Sequence, residues 1–289
     1  MTFAYRLPPF LPLMKVIACT PTKNRRWAWE FSKGCMLSQT LKPDLWIVVD
    51  NSTRPADDWV ISKDLSFVHY HRVFEEKPIG WLRNRCLELA LQHGADYIVF
   101  WDDDDYYPPT RISSGVNALE ADPTLDMTGS SKMYLLLTRE NVLMTTGPFN
   151  DSHATAATHT IRRSYAEANR FDPEKLRGEE VTFTKGWTAK LKQVPAEDTI
   201  VVMGHTRNTV DKSQLLLRPQ MFNAKIVNDI NGKMAFRARW PVEWGLWKRT
   251  FVDEAPELLR DCIPWGAEPP EALPTPHTEG TEASAERRA

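Results

Sequence analysis

The sequence lacks the features that mark membrane-spanning, secreted and thiolate-metal proteins. It has no uncharged apolar run of about 18 residues, the length that a transmembrane helix needs. Its four cysteines show neither CxxC pairing nor metal-ligand spacing. The apolar start is interrupted by prolines and has no basic segment or small-residue cleavage site of a signal peptide. We therefore expect a cytoplasmic protein in which residues 1–14 form a proline-rich lead-in.

Charge and apolar content vary along the chain. The net charge is −2, yet residues 160–250 carry 17 basic and 10 acidic side chains. A basic segment favours an anionic partner, although ordinary surface charge explains the same numbers. Residues 266–289 contain almost no bulky apolar side chain and cannot bury enough surface to offset the entropy of ordering, so we expect a disordered tail there.

Short apolar runs alternate with amphipathic segments in the first half. Buried strands are predicted at 16–19, 45–49, 66–70 and 97–101, with helices from about Thr22 and over 80–93. The second half predicts a hairpin of 133–137 with 142–146, strands at 159–163 and 199–203, and a helix over 179–191. This rhythm is typical of an α/β fold, a mixed, mostly parallel sheet flanked by helices. We expect one domain with two halves, residues 15–130 and 131–265.

Four consecutive aspartates, Asp102 to Asp105, directly follow the predicted strand 97–101. Ligands of an open α/β sheet bind at the carboxyl ends of its strands, which is where this cluster lies. Oxygen ligands suit Mg²⁺ or Mn²⁺, and substrate phosphates commonly complete the shell. A solvated acidic turn is the alternative explanation. The cluster predicts a divalent-metal site for a phosphate-bearing ligand.

Other side chains are candidates for the same edge of the sheet. Asp50 ends the second predicted strand, where it can accept hydrogen bonds from a ribose or a base, or can simply form a turn. Arg83 and Asn84 can reach a pyrophosphate, or can belong to a solvated helix face. Glu179 and Glu180 offer a general base, or merely favour a helix N-terminus.

Three indoles, Trp240, Trp244 and Trp247, stand at helical spacing near the end of the basic segment. They can stack on a sugar or a base, or lie at a membrane interface as a peripheral contact. Core packing of a closing helix explains the same spacing.

Taken in order, these pieces resemble glycosyltransferase family 2, the inverting nucleotide-sugar enzymes of GT-A fold. The resemblance covers about residues 15 to 210. Its matching segments are Ala18-Cys-Thr-Pro-Thr22, Val48-Val-Asp-Asn-Ser52, Gly80-Trp-Leu-Arg-Asn84, Trp101-Asp-Asp-Asp-Asp-Tyr-Tyr-Pro108, Gly178-Glu-Glu-Val181 and Gly204-His-Thr-Arg-Asn-Thr209. It implies a nucleoside-diphosphate sugar as donor and Mn²⁺ or Mg²⁺ as cofactor.

The resemblance also implies roles in donor binding. Thr20, Pro21 and Asp50 hold the nucleoside, while Arg83 and Asn84 lie near the base or the diphosphate.

For the metal, the family's Asp-x-Asp motif falls on Asp102-Asp103-Asp104. Asp104 is the implied direct ligand and Asp102 its partner; the four-fold run leaves Asp103 and Asp105 open as alternatives. His205 approaches the metal or the diphosphate.

The catalytic base departs from the family pattern. The family usually has Glu-Asp before a helix, whereas this chain has Glu179-Glu180, which makes Glu180 the implied base. The implied reaction is a single displacement by an acceptor hydroxyl, which inverts the anomeric carbon of a hexose or pentose. The acceptor would contact residues 131–265 and be an acidic glycan, a lipid-linked phosphate or DNA with hydroxymethylated bases.

Two other functions fit parts of the same pattern. A nucleotidyltransferase on this fold would use the aspartates but usually has a glycine-rich phosphate loop, which is not apparent here. A non-catalytic nucleotide-sugar or glycan-binding module would keep Asp50 and Asp104 and tolerate the loss of Glu180.

Overall fold

The computed structural model describes residues 14–54, 65–138, 142–208, 212 and 214–227. Three predictions fall outside these residues: the lead-in before residue 14, the segment with Trp240, Trp244 and Trp247, and the disordered tail 266–289.

Eleven strands and six α-helices are present in the described residues. The strands are β1 (Val16–Thr22), β2 (Leu45–Asp50), β3 (Val68–Arg72), β4 (Tyr97–Phe100), β5 (Met127–Gly129), β6 (Met133–Leu137), β7 (Val142–Thr146), β8 (Thr160–Arg162), β9 (Leu191–Gln193), β10 (Val201–Gly204) and β11 (Lys225–Ile226). The helices are α1 (Trp29–Leu37), α2 (Ile79–Gln92), α3 (Arg111–Glu120), α4 (Arg163–Ala168), α5 (Glu180–Phe183) and α6 (Gln214–Leu217).

Seven strands form the central sheet in the order β3-β2-β1-β4-β8-β5-β9. The pairs among β1 to β4 are parallel. Strand β8 runs antiparallel to both of its neighbours, β4 and β5, and β9 is parallel to β5. The prediction of a mixed, mostly parallel sheet is therefore confirmed.

The sheet is covered on both faces because its central strands are apolar on both sides. In β2, Trp46 and Val48 join one core cluster, while Ile47 and Val49 join the other, as the alternation of side chains along a strand requires. Helices α1 and α3 pack in the first cluster, and α2 and α4 in the second. The strand ends are consequently left as the accessible edge of this layer.

A second, four-stranded sheet has the order β10-β6-β7-β11. The predicted hairpin of β6 and β7 is present and antiparallel, and β10 pairs with β6 in parallel. This sheet lies next to the aspartate segment, because Tyr106 forms a bridge with Val201 of β10.

Two helix predictions are wrong. The helix expected from Thr22 begins at Trp29, because β1 extends to Thr22 and Asn24 takes a left-handed φ of 58°. The helix expected over 179–191 ends at Phe183, because Lys185, Gly186 and Trp187 have φ values of 54°, 65° and 66°. The first difference opens a loop of basic residues; the second replaces a helix with a left-handed turn.

His159 is fully buried beside β8, with its Nε2 atom 3.1 Å from the carbonyl oxygen of Ala154. Burial lowers its pKa from 6.5 to about 3, with smaller contributions from Arg83 and Arg111. The folded protein therefore keeps this ring neutral at pH values where the unfolded chain binds a proton.

This difference predicts a loss of stability in acid. Below pH 6.5 the free energy of unfolding should fall by up to about 1.4 kcal/mol per pH unit from this group, and the loss should level off near pH 3. His159→Gln, whose amide nitrogen can replace Nε2, should show a weaker pH dependence between pH 6.5 and 5. Urea unfolding of both proteins at both pH values measures the effect. Equal slopes would show that His159 does not contribute.

Candidate functional site

A cleft of about 780 Å³ opens at the carboxyl ends of β1 and β4. This is the edge of an open α/β sheet at which ligands bind. Its walls come from the loop after β1, the start of α2, the aspartate segment, the segment that opens α5, and residues 200–212. The residues predicted from sequence that line it are Pro21, Arg83, Asp102, Asp104, Asp105 and Glu180.

Two of the four aspartates, Asp103 and Asp105, are buried and bonded to other parts of the chain. Asp103 is buried, accepts a hydrogen bond from the Thr22 hydroxyl and pairs with Arg25 at 2.8 Å. Asp105 is buried and accepts the backbone N–H of Met203 at 2.9 Å, which attaches the aspartate segment to β10. Burial raises the pKa of Asp103 to about 6 and that of Asp105 well above its ordinary value.

Asp104 is held within a set of nitrogen donors. One of its oxygens lies 3.1 Å from His205 Nε2 and 3.4 Å from Asn208 Nδ2, and the other lies 3.1 Å from Arg25 Nη1. Burial alone would raise its pKa, but Arg25 and His205 outweigh burial and lower it, so the group is ionised. Asp102 is the most exposed of the four, with a side chain 25% accessible.

The donor set fits a divalent cation that is completed by substrate oxygens. Among the described residues, no group of three or more acidic, histidine or cysteine side chains is placed to hold a metal ion. Mg²⁺-type sites are, however, commonly built from one or two carboxylates and the phosphates of the ligand. Asp104, which contacts His205, and Asp102 both line the cleft, so two carboxylates are available to such a site.

Arg83 connects the aspartates to the glutamate pair. It is buried and donates to Glu179 at 2.7 Å and to Asp102 at 3.0 Å. Burial would lower its pKa, but Asp102 and Glu179 outweigh burial and raise it. Its Nη1 atom is buried and has no hydrogen-bond partner within the described residues. That N–H group is available to an anion in the cleft.

Gly80 allows α2, and with it Arg83, to lie close to the Glu179 segment. A Cβ atom at this position would stand 1.9 Å from the carbonyl oxygen of Asp172 and 3.4 Å from Glu179 Cβ. We therefore expect Gly80→Ala to destabilise the protein by about 1–3 kcal/mol, the usual effect of overpacking. Thermal unfolding tests this effect, and an unchanged melting temperature would contradict it.

Glu180 faces the cleft at the start of α5. Burial, and then the neighbouring Glu179, raise its pKa. A carboxylate with a raised pKa is a stronger proton acceptor, as a general base requires. Glu179 is paired with Arg83, so the two adjacent glutamates have different surroundings.

Five residues predicted for the site do not line the cleft, and one of them is His205, which contacts Asp104. Thr20 accepts a hydrogen bond from Trp46 Nε1 at 2.8 Å, and Asp50 accepts one from the Tyr70 hydroxyl at 2.7 Å. Asn84 is bonded through both amide atoms to the backbone of Phe171. Asp103 lies behind the aspartates that face the cleft.

Sequence reasoning singled out none of the other basic side chains that line the cleft, although three of them lie in the basic segment 160–250. The cleft is lined by the cations Lys23, Arg25, Lys77, Arg177, Arg207 and Lys212, and by Trp27. Trp27 packs edge-on against His205 at 4.8 Å, and the Arg207 guanidinium lies over Trp27 at 5.1 Å. The cluster Lys23-Asn24-Arg25-Arg26 after the first strand was the available signal for a basic wall.

The doubly covered, mostly parallel sheet, with an acidic pair and basic walls at its carboxyl edge, defines a protein of GT-A fold. The model of the glycosyl transferase family 2 matches residues 18–184, more than half of the chain, and the chain belongs to this family of enzymes. No curated protein sequence matches the chain.

Solved structures share the fold at low sequence identity. TarS residues 1–349 of S. aureus, in complex with UDP-GlcNAc, has a TM-score of 0.52 and 15% identity over 83% of this chain and 73% of that chain. The mannosyltransferase PcManGT of Pyrobaculum calidifontis, in complex with GDP-Man and Mn²⁺, has a TM-score of 0.51 and 15% identity over 86% and 77%. No helix in the described residues is long and apolar enough to cross a membrane.

Proposed function

We propose that this chain transfers a sugar from a nucleoside-diphosphate sugar to an acceptor hydroxyl, with inversion and with Mn²⁺ or Mg²⁺ bound. The observation that carries the proposal is the joint presence, in one cleft, of ionised Asp104, Asp102 and the half-buried Glu180. A diphosphate binder needs the first two, whereas a transferase also needs the third.

Asp104, His205 and Asp102 would hold the cation. When bound, a divalent cation supplies positive charge that offsets the charge developing on the departing diphosphate. The buried, unpartnered Nη1 atom of Arg83 can donate to the same phosphate oxygens. The basic side chains along the cleft make its walls attractive to the diphosphate before any chemistry.

The nucleoside is proposed to lie against Pro21, which lines the cleft at the end of β1. Thr20 and Asp50 do not contact the nucleoside in this proposal. They stabilise the neighbouring strand ends through their hydrogen bonds with Trp46 and Tyr70. Asn84 fixes α2 to the backbone of Phe171 and so positions its neighbour Arg83.

In the proposed step, the acceptor oxygen forms a bond to the anomeric carbon while the bond from that carbon to the diphosphate oxygen breaks. Glu180 accepts the acceptor's proton, and the electron pair leaves with the nucleoside diphosphate. Because Glu179 is committed to Arg83, it is not placed to form a covalent glycosyl intermediate. One displacement inverts the configuration.

Incubation with a panel of nucleotide-sugars and Mn²⁺, followed by product analysis, tests the proposal. Transfer should release a nucleoside diphosphate and give a glycoside of inverted configuration. Release of pyrophosphate would indicate a nucleotidyltransferase, and tight binding without any product would indicate a binding module. Cys19 and Cys86 are buried free cysteines, which suits the cytoplasm, the compartment that we expect.

A further inference from the structure

A second cavity, of about 470 Å³, adjoins the cleft. The two share Met133, Thr155, Val202 and Lys212 in their walls. The remaining lining is largely apolar and comes from the second sheet and from residues 214–222. The second cavity and the cleft are therefore immediate neighbours.

Three aromatic rings, Phe149, His153 and Trp187, are in contact with one another here and are called the aromatic ladder; Trp187 itself does not line the cavity. The His153 ring lies 4.8 Å from the Phe149 ring and 4.4 Å from the Trp187 ring, between centroids. Phe149 and His153 line the cavity, and 43% of Phe149 remains exposed. Burial lowers the pKa of His153, so this ring is a neutral aromatic surface at neutral pH.

The backbone is strained in order to place Trp187 in the ladder. Its φ is 66°, in the left-handed region that a bulky side chain rarely adopts, and it follows Lys185 and Gly186 in the same region. The turn is fixed by hydrogen bonds from Gly186 N–H to Val181 and from Thr188 N–H to Thr184, at 2.8 and 3.0 Å. Strain of this kind persists where the surroundings impose it, often at ligand sites.

The same turn directly follows α5, the helix that begins with Glu180. Trp187 is therefore joined to the proposed base by a short, hydrogen-bonded segment. This connection relates the ladder to the acceptor side of the reaction rather than to the nucleotide.

The charge in the second cavity is positive but small. Lys212 and Arg218 are its cationic lining residues, and no acidic side chain lines it within the described residues. Two cations suit one or two acidic groups. They do not form the extended basic track that a nucleic-acid backbone requires.

We propose that the second cavity and the aromatic ladder bind the acceptor, and that the acceptor is an acidic glycan. The apolar face of a sugar ring stacks on the ladder, and a phosphate or carboxylate on the glycan pairs with Lys212 and Arg218. This inference rests on the proposed function, since it names the acceptor of that reaction.

Ligand-observed NMR titrations test the inference without any turnover. The probes are phenyl glucoside 6-phosphate, phenyl glucuronide and neutral phenyl glucoside. Both acidic probes should bind more tightly than the neutral one. Phe149→Ala should weaken all three about tenfold, and Arg218→Gln should weaken only the acidic probes. Phe74→Ala, which removes an 86% exposed aromatic ring that does not line the cavity, and Lys225→Gln, on the exposed strand β11, should match the unmodified protein.

Unchanged affinities in both Phe149→Ala and Arg218→Gln would overturn the inference. So would stronger binding of a single-stranded oligonucleotide or of anionic phospholipid vesicles that is lost in the same two variants. Binding of UDP with Mn²⁺ is measured in parallel. If the probes bind as expected while UDP does not, the proposed transferase activity fails and the glycan site stands.

Discussion

Glu180→Gln is expected to lower the rate of sugar transfer by about 10²–10⁴-fold, the usual contribution of a positioned general base. Glutamine keeps the size of the side chain but cannot accept the acceptor's proton. Donor affinity should change little, because Asp102, Asp104 and Arg83, which are proposed to hold the diphosphate, are untouched. The measurement is the transfer rate at saturating donor, together with calorimetric binding of UDP in the presence of Mn²⁺.

The matched control is Glu179→Gln, one residue away. In the unmodified protein Arg83 Nε donates to Glu179 at 2.7 Å. The glutamine oxygen can still accept this hydrogen bond, although Arg83 loses the negative charge of Glu179. We expect its main effect on nucleotide affinity, through Arg83, and a much smaller effect on the rate. A larger rate loss in Glu179→Gln than in Glu180→Gln, or full activity in Glu180→Gln, would exclude Glu180 as the base.

Asp104→Ala is expected to abolish the part of UDP binding that depends on Mn²⁺, and turnover with it. The substitution removes the ionised carboxylate next to His205, while the basic walls of the cleft remain. UDP affinity should therefore fall to the value measured for the unmodified protein without Mn²⁺. Calorimetry at equal ionic strength, with and without Mn²⁺, measures the difference.

Asp105→Asn is the matched control within the same run of aspartates. Its amide oxygen can accept the Met203 N–H that the carboxylate accepts now. Mn²⁺-dependent binding should persist in this variant. Loss of that binding in Asp105→Asn and its retention in Asp104→Ala would move the metal ligand by one residue.

The parallel half of the central sheet can be predicted from sequence because its strands are buried on both faces. Such strands appear as continuous apolar runs, as in β1, β2 and β4. Strands β5 and β9 have three residues each, too few to show an alternation. Helix α3 was missed although Ile112, Val116 and Leu119 recur at helical spacing in it and are buried.

The acidic motif of the site could be predicted from the sequence, but the arrangement of its side chains could not. Four identical residues in a row give no indication of which carboxylates face a ligand. The answer depends on partners far along the chain: Arg25 for Asp103, Met203 for Asp105 and His205 for Asp104. Thr20 and Asp50 lie outside the cleft lining for the same reason. Their side-chain oxygens accept hydrogen bonds from Trp46 and Tyr70.

The position of β8 has a consequence for how the chain is made. This strand, residues 160–162, separates β4 from β5, and β5 is bordered only by β8 and β9 in the central sheet. While the ribosome has released only residues up to about 130, β5 has no neighbour and β4 offers an unpaired edge. The central sheet can therefore be completed only after the second half of the chain has been synthesised. An excised segment of residues 15–130 should aggregate rather than fold.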